Sequence, residues 1–287
     1  MEYLMTYGWS ILIIAVVLGA LAYLGVFNPL YFAPKANSGS CQVFRPNGAG
    51  TSYDINLLGV CNGEIPQYVA SFVGGNSISG SGSGVEMSNP MAVNTANAGY
   101  TVSAWVYVSD ANSNNARTIF KGVEDAYSYF GLSINPSGIC AWHDGICGFT
   151  GAEVANYKWY NIVGTWPAGY GISYIYIDGS YAGQTSAGGN AIIDSQPEIG
   201  SISDVNNYNT SFQGYMSNIQ IYNTSFGQNS IMALYQEGIG GAPIDLQNLV
   251  GWWPLNGNAN DYSGNGNNGV PTNVVYTSSW ISSYNPP

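Results

Sequence analysis

Apolar and polar positions follow two rhythms along this chain. In the first, residues 10–27 are apolar on every side of any helix they would form, and no Asp, Glu, Lys or Arg occurs from Tyr3 to Pro34. A helix apolar all round is not an amphipathic surface helix. Extended from Tyr3 to Phe27 it would rise about 37 Å, at ~1.5 Å per residue, enough to cross a hydrocarbon core of about 30 Å. Pro29 cannot continue it and pushes Asn28 out of the α region, so residues 1–28 are read as one hydrophobic helix. Pro29, Pro34, Pro46 and Pro66, with Asn37-Ser38-Gly39-Ser40, break any regular pattern over 29–67, which reads as a neck. Gly74 to Gly84 is a Gly/Ser run and reads as a long exposed turn.

The second rhythm has period two. Tyr100 to Val108, Trp159 to Trp166 and Gly214 to Asn223 are rich in β-branched and aromatic residues and predict strands. Tyr174 to Gly183 predicts a hairpin, because Asp178-Gly179 suits a type I′ turn that needs positive φ. Ser230 as cap, Ile231 to Glu237 as body and Gly238 as left-handed stop predict one short helix. Many short strands separated by turns make 68–287 a β-sandwich, and the chain as a whole mostly β.

Both rhythms carry a resemblance. Met1-Glu2-Tyr3-Leu4-Met5-Thr6-Tyr7-Gly8-Trp9 running into Ile11-Leu12-Ile13-Ile14-Ala15-Val16-Val17 resembles the amino-terminal helix of archaeal type IV pilins. In that family such helices bundle into a filament core, and Glu2 stands where the pilin glutamate would. Ala15, Gly19 and Ala22 share one helical face and would let neighbouring backbones approach closely. Glu2 also suits the positive end of the helix dipole. A cleaved secretory signal would need a basic segment before the apolar core, where this chain has only the acid Glu2. A plain membrane anchor explains the length but gives no reason for that acid.

Ser103-Ala104-Trp105-Val106, the Trp159 strand, Ile175-Tyr176-Ile177-Asp178-Gly179, and Ile219-Gln220-Ile221-Tyr222-Asn223 leading to Ile231-Met232-Ala233-Leu234-Tyr235-Gln236-Glu237-Gly238 resemble laminin G-like, concanavalin A-like lectin/glucanase domains from about Tyr68 to Tyr276. The resemblance implies a jelly-roll sandwich. One block is displaced: Leu249-Val250-Gly251-Trp252-Trp253-Pro254-Leu255-Asn256-Gly257 and the Asn/Gly-rich stretch after it look like the segment that opens such domains. Residues 249–275 are therefore expected to supply the opening strand from the far end, with Trp252, Pro254 and Leu255 reaching into or bordering the interior. Such a strand closes either its own subunit, as a circular permutation, or a neighbour. The short return Gly238-Ile239-Gly240-Gly241-Ala242-Pro243 favours its own.

Charge narrows the function. Five bases, Lys35, Arg45, Arg117, Lys121 and Lys158, stand against 16 acids, a net charge of −11. Nucleic acid is excluded as a partner, because phosphate-backbone binding needs clustered Lys and Arg. So little charge suits a chain that polymerises. Cys41, Cys61, Cys140 and Cys147 fit an exported protein and allow three pairings; proximity favours Cys41 with Cys61 and Cys140 with Cys147, the alternative for the second pair being buried free thiols. His143 is the only histidine and no CxxC spacing occurs, which argues against zinc.

No catalytic residue is expected. Glycoside hydrolysis needs two carboxyls about 5–10 Å apart, and Glu124-Asp125, Glu153 and Glu198 lack a spacing that would supply them. His143 has no accompanying nucleophile motif. Among the aromatic residues, 14% of the chain, Trp105 and Trp159 read as buried strand residues and Trp142 as the surface candidate for stacking. Asp261 with Asn256, Asn258 and Asn260 offers oxygen ligands for a structural calcium ion, the one cofactor considered, although Asn and Gly in tight turns explain the same residues. Asn209-Thr210-Ser211 and Asn223-Thr224-Ser225 are glycosylation sequons. These readings predict a pilin: identical subunits in a helical homopolymer, membrane-inserted before assembly, with lectin-like domains displayed outside for adhesion to surface glycans or proteins. The alternative is a membrane-anchored carbohydrate- or protein-binding module that does not polymerise.

Overall fold

The computed structural model describes residues 13–18, 66–75, 82–88, 91, 99–110, 117–123, 129–143, 150–169, 171–186, 197–201, 211–281, 284 and 287. Residues 13–18 are helical, and the rest of the expected helix and nearly all of the expected neck lie outside the described residues. Among the described residues no helix is long and apolar enough to cross a membrane.

The remainder is a sandwich of two antiparallel sheets. The strands are β1 (Val69–Val73), β2 (Gly84–Met87), β3 (Tyr100–Val108), β4 (Arg117–Val123), β5 (Tyr129–Asn135), β6 (Gly138–His143), β7 (Trp159–Trp166), β8 (Ile172–Ile177), β9 (Ser180–Ser186), β10 (Glu198–Gly200), β11 (Gln213–Tyr222), β12 (Leu249–Trp253), β13 (Gly269–Thr272) and β14 (Val274–Thr277), with one helix, α1 (Gln228–Gln236), after β11. The larger sheet runs β14-β1-β11-β3-β7-β8-β9 with β12 added to β11, and the smaller runs β13-β2-β10-β4-β5-β6. Period-two alternation sends Val102, Ala104, Val106 and Val108 of β3 toward Phe120, Leu132, Ile134 and Ile139 of the smaller sheet, and these build the main core.

The alternate residues of β3 and β7 are buried as well, because the outer face of the larger sheet is covered. Helix α1 lays Ile231 and Leu234 on Val163, Tyr176, Tyr222 and Trp252. Beside it Trp105 and Trp159, at 2% and 4% exposure, pack with Trp280 and Tyr284. The two tryptophans are buried as their strands suggest, but on this outer face and not between the sheets. The Asp178-Gly179 turn forms as its sequence predicts, with φ of 50° and 73°. Asp178 is fixed there because its Oδ1 accepts from the Asn161 N–H at 2.8 Å; burial pushes its carboxyl up, against the opposing pull of that N–H and of Lys158.

Two local expectations are corrected. Ser230 lies inside α1, which starts a turn earlier at an N-cap, Gly227, with no side-chain cap. Tertiary bonds set that start: Phe226 N–H donates to Thr101 Oγ1 at 2.9 Å and Gln228 Nε2 to the Gly179 carbonyl at 2.6 Å. Gly238 does stop the helix, at φ 78°. The Gly74 to Gly84 run is not exposed at its described end, where Ser83 is fully buried and Gly84 already begins β2; residues 76–81 lie outside the described residues.

The displaced block enters the sandwich of its own chain. Strand β11 pairs with β1 along Gln213 to Met216 and with β12 along Ile219 to Tyr222, so two short strands share one side of one long strand. Trp253 and Leu255 reach the main core at 0% exposure, Trp252 lies under α1, and Pro254 is half-buried. At the junction β11 bulges, and Asn218 sits there at φ 53°, a region asparagine tolerates better than most residues. Its Oδ1 accepts from Trp252 Nε1 at 2.7 Å and from Gln220 Nε2 at 2.9 Å, while its Nδ2 donates to the Gly241 carbonyl at 2.9 Å. One buried amide thus ties β11, β12 and the returning loop together. Asn218→Ala strands the Trp252 indole N–H and part of the Gln220 amide, at about 1–3 kcal/mol for each buried group. Urea unfolding should show a loss of about 2–4 kcal/mol, against less than about 0.5 for Asn260→Ala on the surface; equal losses for the two variants would contradict this role.

Candidate functional site

The face of the smaller sheet turned away from the core carries one cross-strand row of unusual residues. Reading across the register, Val270 of β13, Glu86 of β2, Glu198 of β10, Lys121 of β4, Gly131 of β5 and Trp142 of β6 stand opposite one another. Their strand neighbours Val85, Ile199, Phe120, Leu132 and Ala141 point into the core, so the row faces away from it.

Adjacent positions across antiparallel strands put Cβ atoms about 4.5–5.5 Å apart, which makes Glu86 and Glu198 a carboxylate pair. Lys121 Nζ meets Glu198 Oε2 at 3.2 Å, with both side chains mostly buried at 18% and 10% exposure. That degree of burial removes much of the solvent screening that weakens surface ion pairs. On the far side, Trp142 is half-buried and its Nε1 donates to Ser133 Oγ, which fixes the ring. Between Lys121 and Trp142 the row has only Gly131, at φ 155°, where a Cβ would fall 2.0 Å from the Phe120 carbonyl oxygen. That position of the row therefore carries no side chain, and Lys121 and Trp142 flank a strip of backbone about 10 Å across, two strand spacings. Two acceptors, one ammonium and one indole face form a polar and aromatic row of a kind that can hydrogen-bond hydroxyls and stack on an apolar ring face.

Glu86 carries no signal of its own in the sequence, and Glu198 has no carboxylate at a telling spacing beside it. Each is one charged residue in a short apolar strand, and nothing in positions 86, 121 and 198 shows that they become neighbours. Of the other expected residues, Glu2, Gly19, Ala22, Cys41, Cys61, Cys147 and Asn209 lie outside the described residues, and Ala15 lies in the helical stretch 13–18. Cys140, on β6, is disulfide-bonded. Asn223 follows β11, where its backbone N–H donates to the Asn248 carbonyl at 2.8 Å and its side-chain oxygen is buried.

Asp261 is buried at 2% exposure and its carboxylate is fully engaged. Oδ1 accepts from the Trp252 and Ser263 N–H groups at 3.0 and 2.8 Å; Oδ2 accepts from Ser263 Oγ and the Asn267 N–H, both at 2.9 Å. Four donors use the acceptor capacity of a carboxylate, so Asp261 organises the loop after β12, and the calcium expectation gives way to the turn-forming one. Asn258 Oδ1 likewise accepts from the Asn260 N–H at 2.9 Å, and Asn256 Oδ1 from the Tyr68 N–H at 2.8 Å. Among the described residues no three His, Cys, Asp or Glu side chains gather as a metal site.

A two-sheet antiparallel sandwich with this strand pattern agrees with the family comparison, in which a model described as the concanavalin A-like lectin/glucanases superfamily matches residues 79–232, more than half of the chain. The chain belongs to that superfamily. The match ends before β12, so the displaced block is placed by the structure and not by the family model. No curated protein matches the chain. Among solved structures it is similar to a putative carbohydrate binding protein from Bacteroides ovatus, at 16% identity and a TM-score of 0.54 over 75% of this chain and 60% of that one. It is also similar to a heptameric SAP-like pentraxin from Limulus polyphemus, at 12% identity and a TM-score of 0.50 over 78% of this chain and 96% of that one. This superfamily member thus spans less than two thirds of the Bacteroides protein, and at such identities the likeness is one of fold.

Proposed function

We propose that this chain is a lectin-like carbohydrate-binding module and that the row on the smaller sheet is its binding face. The observation that carries the reading is the pairing of Glu86 with the Lys121–Glu198 ion pair, beside Gly131 and Trp142, on strands whose other residues belong to the core. Carboxylates accept hydrogen bonds from sugar hydroxyls, Lys121 donates to ring or hydroxyl oxygens, and an indole face suits the C–H side of a pyranose. Membership in a lectin/glucanase superfamily and the likeness in fold to the Bacteroides putative carbohydrate binding protein support the same reading. Binding without turnover is proposed, since Glu198 is held by Lys121.

A second reading, a pilus-like filament subunit displaying this domain at the cell surface, is favoured by one observation: residues 13–18 are helical and expose Ile13, Ile14, Val16, Val17 and Leu18 within the charge-free run from Tyr3 to Pro34. Insertion in a membrane before assembly, pairing of Cys41 with Cys61 and of Cys140 with Cys147, and sugars on Asn209 and Asn223 belong to that proposal. In it, Glu2→Ala should sharply reduce filament yield from expressing cells, and normal filaments would remove the role of Glu2.

For the binding face, the full chain should retain at least one neutral glycan in an array or pull-down on insoluble polysaccharides. Glu86→Gln and Trp142→Ala should each weaken that binding about tenfold, about 1.4 kcal/mol, Glu86→Gln without changing the thermal unfolding profile. Retention unaffected by both substitutions would move the site elsewhere. Release of reducing ends from a bound glycan would replace binding with catalysis.

A further inference from the structure

Charge on the row is as informative as its aromatic ring. Of the five bases in the chain, Lys35 and Arg45 lie outside the described residues. Each of the other three is engaged: Arg117 Nη2 meets Asp110 Oδ2 at 2.6 Å, Lys121 meets Glu198 at 3.2 Å, and Lys158 Nζ stands 4.8 Å from the centre of the Tyr160 ring. Glu86 is treated differently. Among the described residues its carboxylate has no ion-pair or hydrogen-bond partner, although it is half-buried and its strand neighbours Val85 and Met87 are wholly buried.

A carboxylate drawn partly out of water without a partner has lost hydration that no protein group replaces. A cation arriving there supplies a charge-assisted hydrogen bond, stronger than the one a neutral hydroxyl gives. An anion meets repulsion, both from Glu86 and from a chain whose net charge is −11. Across the row two carboxylates stand against one ammonium, so the Lys121–Glu198 pair cancels internally and Glu86 leaves a negative charge uncompensated. Position adds a requirement of length. Strand β2 is held between β13 and β10, which fixes where Glu86 stands. Four strand spacings, about 19 Å, separate it from Trp142 on β6. No single sugar ring reaches both, whereas a short oligomer does.

We propose, resting on the reading of this row as a glycan face, that it selects oligosaccharides carrying free amines, with the ammonium of a glucosamine-type unit on Glu86 and another ring of the same oligomer on Trp142. Neutral sugars use Glu86 only as an acceptor for a hydroxyl, and acidic sugars are disfavoured. Glu86 is thus the residue that sets specificity within the row.

Binding of the full chain to glucosamine oligomers and to the same oligomers fully N-acetylated tests this, with a chelator present, at a pH where the amines are charged, and with a glycan array run alongside. The wild type should bind the free amines about tenfold more tightly at low salt, and that ratio should fall as salt screens the pair. Glu86→Gln should remove the preference at every salt concentration, while Trp142→Ala should weaken both ligands and keep their ratio. Glu153→Gln removes an equal charge from an exposed position outside the row and should leave the ratio unchanged. A wild type that retains array glycans but shows no preference for the amine, or binds uronate oligomers more tightly, overturns the proposal and leaves the glycan face standing. So does a preference that survives Glu86→Gln, or one that falls as far with Glu153→Gln. Retention of no array glycan at all overturns the glycan face, and the proposal with it.

Discussion

The structure depends on how one long strand is covered. Strand β11 has β3 along one side for most of its length, but on the other side β1 reaches only its first half. Without β12 the second half would be an open edge beside the main core, and the places of Trp253 and Leu255, both fully buried, would be empty. A void the size of a tryptophan is costly in any core: truncating a buried Phe or Trp typically loses about 3–5 kcal/mol. The segment that closes the gap comes from beyond α1, which is why the sandwich and the chain order disagree.

Closing a sandwich with a distant segment requires more than apolar burial, because burial alone does not fix register. The Asn218 amide supplies the register. It accepts from Trp252 and Gln220 and donates to the return loop, and Gln220 in turn accepts from the Tyr222 hydroxyl. A one-residue slip of β12 would leave the Trp252 indole N–H buried without its acceptor and take from the amide the bond that reaches β12. Farther along, Asn256 joins the block to Tyr68 just before β1, and Asn273, at φ 53°, marks the turn between β13 on the smaller sheet and β14 on the larger. The block therefore touches both sheets, and through β13, which pairs with β2, it supports the strand that carries Glu86. Fold closure and the candidate binding face share that contact.

What was legible in the sequence follows from where each signal resides. Strands β3 and β7 stood out because their core-facing and outward-facing residues are both bulky, and both sides of the larger sheet are covered. The Asp178-Gly179 turn and the Gly238 stop were legible because positive φ restricts the residue choice locally. The opening motif at Gly251-Trp252-Trp253 was legible as displaced because it holds several ordered residues together. Strands β4, β5 and β6 mix glycine, serine and single charges among their apolar residues and gave no period to follow. Glu86, Lys121 and Glu198 form a row only because register joins three distant segments, and no local pattern encodes register between β2, β10 and β4. Asp261 misled for the opposite reason: a carboxylate amid asparagines looks like a cation site, until the four donors that its own loop turns toward it are seen.

The central claim is that β12 belongs to the cooperative unit of its own chain. Native-state hydrogen exchange reads this directly, since amides opening by local fraying exchange with a lower free energy than those opening with the whole domain. The account predicts that the amides of Val250 to Trp253 which bond to β11 open with the same free energy as those of β3 and β11, independent of protein concentration. Opening several kcal/mol easier than the sheet would contradict it, as would protection of β12 that grows with concentration, the mark of a strand supplied by a neighbour.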